Sequence, residues 1–512
     1  MNTSDNFLPD WLARCAENRP EHLAVQCDEV QWSFAELDRQ ATRLARQLAT
    51  TGVQEGDRVA MLAANGLFYV AFVHALTRLG AVLVPLNLRL TLEELCWQLR
   101  DVRASLLVCD ADNTAQAHEI GRAVPQLPVH TLAGQSKKGE TLSELPETDV
   151  PLRTLIDLSA PQAILYTSGT TGQPKGAIIT YGMQWWNAVG SALNLGYSPD
   201  DRWLACLPLF HIGGLSILMR SVIYGISVMV HKKFDPGIIN SSIVEDGITI
   251  ISVVAVMLQR MLAALATNRS GVAYPATLRC VLLGGGPIPY PLLEECMLRD
   301  IPVVQTYGLT EVCSQAVTLS PADARRKPGA AGRPLLPVQL RIMHDNRPAY
   351  PGEPGEIFLK GPTITPGYID RPEATAQAFQ DGWFATGDIG YRDNDGYLYV
   401  LDRRADLIIS GGENVYPAEI EAALLSHPGV EEAGVCGQAD PQWGQVPVAF
   451  IVLKAGSTVS AGELSGYIAQ KLARYKQPRA IYFTEHLPHT SSGKLVRREL
   501  PRLLPAKHRS AR

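Results

Sequence analysis

The chain has 512 residues, of which 46% are hydrophobic and 19% charged, and its net charge is −5 at neutral pH. That length exceeds a single hydrophobic core and implies several domains, and the mild acidity excludes a general nucleic-acid binder. No apolar run reaches the roughly 18 residues of a membrane span, so no stable membrane insertion is expected; the nearest, Leu215–Val230, is broken by Arg220. Met1–Glu21 carries Asp5, Asp10, Arg14 and Glu17 and no apolar stretch, so no secretory leader is expected. Nine scattered cysteines without Cys-x-x-Cys spacing fit buried thiols in a reducing cytoplasm.

In chain order, Ser33 with Glu36 reads as a capping box. Phe34, Leu37, Ala41, Leu44 and Leu48 then recur at helical spacing until Gly52. A strand over Arg58–Ala64, a helix over Phe68–Leu79, a strand over Ala81–Val84, a helix opened by Thr91 and Glu94, and a strand over Ser105–Cys109 follow. This alternation predicts a parallel α/β sheet. Residues 110–160 read as irregular. The rhythm resumes with strands at Ser227–Val230, Thr249–Val254, Arg279–Leu283 and Pro302–Gln305. Between 330 and 400, closely spaced glycines punctuate short strands and predict a small β-rich subdomain. The character changes again near Leu401-Asp402-Arg403-Arg404. Beyond it the pattern predicts a helix over Pro417–Ser426, strands around Glu432–Gly437 and Val446–Leu453, a helix over Ala461–Leu472, and a basic tail. The expected architecture is a large α/β N-terminal domain, residues 1–402, joined by a short hinge to a small α+β domain, residues 403–512.

The most informative stretch is Tyr166-Thr-Ser-Gly-Thr-Thr-Gly-Gln-Pro-Lys-Gly176. Its glycines allow backbone N–H groups to turn inward, its hydroxyls add donors and Lys175 adds a charge, which is chemistry for holding a polyphosphate. It is not a Walker loop. Four further segments share this look: Gly284-Gly285-Gly286-Pro287 after a strand, Gln305-Thr-Tyr-Gly-Leu-Thr-Glu311, Trp383-Phe-Ala-Thr-Gly-Asp388, and Thr490-Ser-Ser-Gly-Lys494. Tyr307 offers an aromatic face, Glu311 a carboxylate for a metal ion, and Asp388 a carboxylate able to accept two hydrogen bonds from a ribose diol.

In this order, over roughly residues 8–505, the segments resemble the adenylate-forming superfamily of acyl- and aryl-CoA synthetases, luciferases and peptide-synthetase adenylation domains. Within it, Cys206-Leu-Pro-Leu-Phe-His-Ile-Gly-Gly-Leu-Ser216, Ser221–Gly225, Leu282–Pro287, Leu401–Asn414 and the run Tyr181-Gly182 with Trp185-Trp186-Asn187 are similar to the o-succinylbenzoate–CoA ligases of menaquinone biosynthesis. The resemblance implies a mobile small domain and two half-reactions, with Mg²⁺ as cofactor and ATP and CoA as co-substrates. A carboxylate attacks the α-phosphate of ATP, and CoA then attacks the acyl-adenylate.

By the same resemblance, Thr167, Ser168, Gly169, Thr170, Thr171, Gly172 and Lys175 would cradle the β- and γ-phosphates, Thr310 would contact phosphate, and Glu311 would ligate Mg²⁺. Tyr307, Gly308 and Gly284, Gly285 and Gly286 would surround the adenine, and Asp388 and Arg403 the ribose. Lys494 would bridge the attacking carboxylate and the α-phosphate. His211 would gate the acyl pocket, unless it is simply packed beside Phe210. Val256 and Gly285 would line that pocket. Gly411, Gly412, Trp443, Tyr475 and Arg479 would meet CoA, although Lys476 and Arg479 read equally well as solvated surface. A second carboxylate on the acid needs a buried cation. Arg220 is the expected partner, the alternative being an arginine that snorkels to the surface.

Two positions depart from the family pattern. Ala405 stands where relatives carry an acidic or lysine pivot, and no His or Asn follows Lys175 closely. Other aryl- or medium-chain acyl-CoA ligases, and an enzyme loading a carrier protein in trans, stay open on sequence, as does a homo-oligomer.

Overall fold

The computed structural model describes residues 6–132, 141–167, 174–267, 273–286, 288, 290–344, 347–402, 408–488, 495 and 497–505. Two largely parallel sheets form the bulk of the large domain. One has six strands in the order 175–180, 161–167, 82–85, 58–62, 106–109 and 129–131, and only its 175–180 edge is antiparallel. The other has nine, in the order 333–334, 317–318, 303–307, 280–284, 250–254, 202–205, 227–230, 23–27 and 30–33, parallel from 303–307 to 23–27. The central parallel strands are short and largely apolar, as expected where helices cover both faces of a sheet. Leu106–Cys109 and Ser227–Val230, for example, are buried at every position.

The segment read as irregular contains a helix, Thr114–Ala123. Only Ala117 and Ile120 on it are buried, too few to raise a periodic signal, and its start is organised by Asp110, whose Oδ1 accepts from the Asn113 N–H (3.0 Å). At the earlier helix, Ser33 caps the Glu36 N–H, but the Glu36 carboxylate turns to Arg39 and Gln40, so half of the expected box forms. The glycine-punctuated stretch is an antiparallel sheet built on 339–344, 355–360 and 383–392. Beyond it, 408–410, 413–415, 430–440, 444–453 and 480–483 make a separate sheet with its own apolar cluster around Ile420, Leu424, Ala449 and Leu464. All nine cysteines are buried free thiols. Among the described residues no helix is long and apolar enough to cross a membrane.

A buried ionic knot ties three helices of the large domain. Asp10 caps Trp11–Asn18 through Oδ1, which accepts from the Leu12 N–H (2.9 Å), and its Oδ2 accepts from Arg78 Nε (3.0 Å). Arg78 also donates to the Asp38 carbonyl (2.9 Å) and carboxylate. Removing one partner of a buried pair costs about 3–5 kcal/mol because the other charge stays buried. Arg78→Ala should therefore lower the thermal midpoint of the large domain clearly, as read by calorimetry, whereas Arg14→Ala, an exposed pair with Glu17, should leave it unchanged.

Candidate active site

The carboxyl ends of both parallel sheets face one another, and a cavity of about 790 Å³ opens between them. Crevices beyond the carboxyl ends of parallel strands are where open α/β sheets bind ligands. From the six-stranded sheet come Ala64–Asn65, Pro85, Asn87–Leu90 and Tyr166–Thr167. From the nine-stranded sheet come Cys206–Pro208, Phe210–Gly213, Val253, Val254, Val256, Gly284, Gly285, Thr306 and Gly308–Glu311. The small domain closes the mouth with Gly411–Asn414, Gln442, Trp443, Tyr475 and Lys476.

Of the expected phosphate loop, Thr167 and Lys175 pair across an antiparallel hairpin; Ser168, Gly169, Thr170, Thr171 and Gly172 lie outside the described residues. The hairpin stands beside Glu311, a buried carboxylate in the cavity wall. Glu311 Oε1 accepts from the Tyr368 hydroxyl (2.9 Å) and from Thr167 Oγ1 (3.4 Å), and Lys175 Nζ lies 5.4 Å from the centre of the Tyr368 ring. Thr310 adjoins it in the wall. Gly308 is obligatory, since a Cβ there would sit 1.4 Å from the Ser314 carbonyl oxygen.

Gly284 and Gly285 reach the cavity; Gly286 instead lies against the small domain, where a Cβ would sit 2.4 Å from Ile409 Cδ1. Tyr307 is not in the wall. It is a buried member of the apolar cluster with Val312 and Val317, and its hydroxyl donates to Asp388 Oδ2 (2.6 Å). Asp388 does line the cavity. Arg403, Ala405 and Lys494 lie outside the described residues. Leu495 packs against Gly434 in the small domain.

Arg220 does not snorkel. It is 2% exposed, lines the cavity, lies 5.4 Å from the Trp203 ring centre and donates through one NH₂ to Asn187 Oδ1. No carboxylate among the described residues pairs with it, its Nε has no hydrogen-bond partner there, and burial lowers its pKa. Cys206, also in the wall, donates Sγ–H to the Ser252 carbonyl (3.6 Å), and burial pushes its thiol up to about 12.

At the mouth, His211 is half-exposed beside Phe210, and its Nε2 lies 3.2 Å from Glu413 Oε2 of the small domain. Asn87 donates to the same oxygen (3.2 Å) and Arg89 pairs with Oε1 (3.2 Å). Burial pushes the Glu413 carboxyl up, but His211, Arg89 and Asn87 together outweigh it and hold it below the ordinary range. Gly411 must be glycine: its φ is +59° and a Cβ would lie 2.5 Å from the Trp443 ring. Arg479 is exposed and outside the wall, whereas Lys476 is not solvated surface but 4% exposed and paired with two carboxylates. Sequence reading missed Tyr368, Asn87, Arg89 and the role of Glu413; Glu413 was visible only as the acidic residue after a glycine pair.

Residues 12–369 match the AMP-binding enzyme family, and residues 419–494 match that family's C-terminal domain. The chain belongs to the AMP-binding enzyme family. It is 52% identical to a 2-succinylbenzoate–CoA ligase of Geobacillus kaustophilus over 97% of this chain and 98% of that one. Among solved structures, a double mutant of the o-succinylbenzoate CoA synthetase of Bacillus subtilis, bound with its product analogue OSB-NCoA, superposes with a TM-score of 0.89 at 44% identity, covering 96% and 98% of the two chains. The same enzyme in complex with ATP and magnesium ion gives 0.73 at 43% identity and 96% and 99% coverage. With identity and coverage nearly constant, this chain as a whole superposes more closely on the product-analogue complex than on the ATP complex.

The Glu413 contact gives a test with a defined sign. A carboxyl held below its ordinary value contributes fully above the free pKa of about 4.3 and is lost as pH falls through the depressed value. Glu413→Gln should loosen the domain contact by about 1.5–3 kcal/mol, read as a larger radius of gyration in small-angle X-ray scattering. The wild type alone should show further loosening on acidification.

Proposed function

We propose that the chain is an ATP-dependent o-succinylbenzoate–CoA ligase that works in two steps within this cavity, with residues 1–402 as the catalytic body and 403–512 as the moving lid. The separate sheet and core of the small domain support that division. The full-length likeness to 2-succinylbenzoate–CoA ligases supports the reaction. The observation that carries the choice of acid is Arg220, a buried cation in the cavity wall without a carboxylate partner among the described residues. A monocarboxylic substrate would leave that charge uncompensated, at a large desolvation cost. The aryl carboxylate of o-succinylbenzoate neutralises it, Val256 and Gly285 flank the ring, and the succinyl carboxylate remains free to react.

In the first step a succinyl carboxylate oxygen attacks the α-phosphorus of ATP, the bond to the β-phosphate bridging oxygen breaks, and pyrophosphate leaves. Lys494 steadies the charge that grows on the carboxylate and α-phosphate oxygens. Thr167, Lys175 and Thr310 hold the β- and γ-phosphates, and Asp388 with Arg403 holds the ribose. Among the described residues no cluster of three or more His, Cys, Asp or Glu side chains forms a metal cage. One wall carboxylate, Glu311, suits Mg²⁺, which is commonly held by one or two carboxylates together with substrate phosphates and water. When bound, the ion neutralises phosphate charge. Tyr368 and Thr167 fix the Glu311 carboxylate for that contact. In the second step the CoA sulfur, having lost its proton, attacks the adenylate carbonyl, and AMP leaves. Gly411, Gly412, Trp443 and Tyr475 form the entry for the pantetheine arm, and His211, held by Glu413, stands clear of it.

Thioester formation by purified protein with Mg-ATP, CoA and a panel of benzoates, fatty acids and o-succinylbenzoate tests the reading. O-succinylbenzoate should be strongly preferred, and Arg220→Leu should erase the preference, raising KM for it by roughly tenfold or more. Preference for a monocarboxylate would overturn the choice of acid. Separately, Lys494→Ala should abolish adenylate formation, measured by pyrophosphate exchange, while calorimetric ATP binding persists; near-normal exchange would remove Lys494 from the mechanism.

A further inference from the structure

We propose that Glu94, on the large domain, is the positioning residue that latches the small domain in the arrangement used for thioester formation; this rests on the two-step reading above. Glu94 is outside the cavity wall and so does not meet substrate. Its Oε2 completes the capping box at Leu92–Asp101 by accepting from the Thr91 N–H (2.8 Å) and hydroxyl (2.9 Å), and the same oxygen accepts from the Ala473 N–H of the small domain (3.0 Å). Its Oε1 accepts from Lys476 Nζ (2.7 Å).

Lys476 is shared. It also donates to Glu419 Oε1 (2.8 Å), within the small domain, and Lys476 and Glu419 are both buried. Glu419 Oε2 is buried with no hydrogen-bond partner among the described residues. The cluster therefore holds two carboxylates and one ammonium, and only Glu94 belongs to the other domain. When the domains separate, Glu94 keeps its cap on Thr91 and regains water, and Lys476 keeps Glu419. When they join, Lys476 gains a second carboxylate in a water-poor interface, where such pairs are strongest. The latch is adjacent to the site: Tyr475, next to Lys476, lines the cavity and its hydroxyl lies 3.4 Å from Asn87 Nδ2, which also holds Glu413. The closer whole-chain superposition on the product-analogue complex than on the ATP complex supports assigning this contact to the second step.

A latch of this kind shifts the balance between half-reactions and does not set the overall rate of folding or binding. Two variants of the full chain test it, in opposite directions. Glu94→Gln keeps an acceptor for the Thr91 cap but loses the charge across the interface. It should leave o-succinylbenzoate-dependent pyrophosphate exchange within about twofold and slow transfer from preformed adenylate to CoA at least roughly fivefold. Glu419→Gln makes Glu94 the sole carboxylate on Lys476, so thioester transfer should persist while pyrophosphate exchange slows. Equal losses in both half-reactions, or no change in either variant, would overturn the latch. Should Glu94→Gln unfold, Glu419→Gln decides alone: an unchanged ratio of the two rates overturns the proposal. Wild-type protein that forms adenylate but no thioester would overturn the functional reading, and the latch with it.

Discussion

One buried amide holds the two halves of the large domain together where the cavity begins. Asn65, in the turn after strand 58–62 of the six-stranded sheet, donates through Nδ2 to the carbonyls of Leu207 (3.0 Å) and His231 (3.1 Å), which follow strands of the nine-stranded sheet. Its Oδ1 accepts from the Leu209 N–H (2.9 Å). Two donors and one acceptor are thus used by three backbone groups of the opposing sheet, which is close to the most a buried amide can do. Parallel sheets put their loops at one edge, but nothing in that rule makes two sheets point those edges at each other. A shared apolar cluster joins the two sheets, and Asn65 fixes their spacing at the edge where the cavity opens.

The small domain docks onto this frame with polar contacts. Glu413 meets His211, Asn87 and Arg89, and Lys476 meets Glu94, so charge and hydrogen bonds concentrate at the seam. If the small domain moves as proposed, such contacts serve it better than an apolar seal, because water can take over each bond on separation. Its own interior is ordinary apolar packing, separate from the core of the large domain.

Much of the organisation was legible from local pattern. Buried strands such as Cys280–Gly284 and Ile250–Val254 announce themselves as apolar runs before glycine or polar turns, and the segments carrying Glu311 and Asp388 cluster hydroxyl, glycine and carboxylate within a few residues. The helix Thr114–Ala123 was not legible because two buried positions do not make a period. For Tyr307, composition marks an aromatic near a site but not how its ring packs. The longest blind spot was pairing. Glu413 and His211 are 202 residues apart, and Lys476 and Glu94 are 382 apart, so neither pairing can be read from local pattern. Arg220 was the exception, because an arginine inside an apolar run advertises its own cost.

Cys206 carries a consequence for chemical safety. An acyl-adenylate is a mixed anhydride, and any thiolate within reach would take the acyl group and poison the protein with its own intermediate. Cys206 is in the cavity wall, yet burial holds its thiol up to about 12 and its proton is engaged by the Ser252 carbonyl. The thiolate, not the thiol, is the reactive species, and burial disfavours that form at neutral pH. The cavity that receives a reactive sulfur from outside keeps its own sulfur inert.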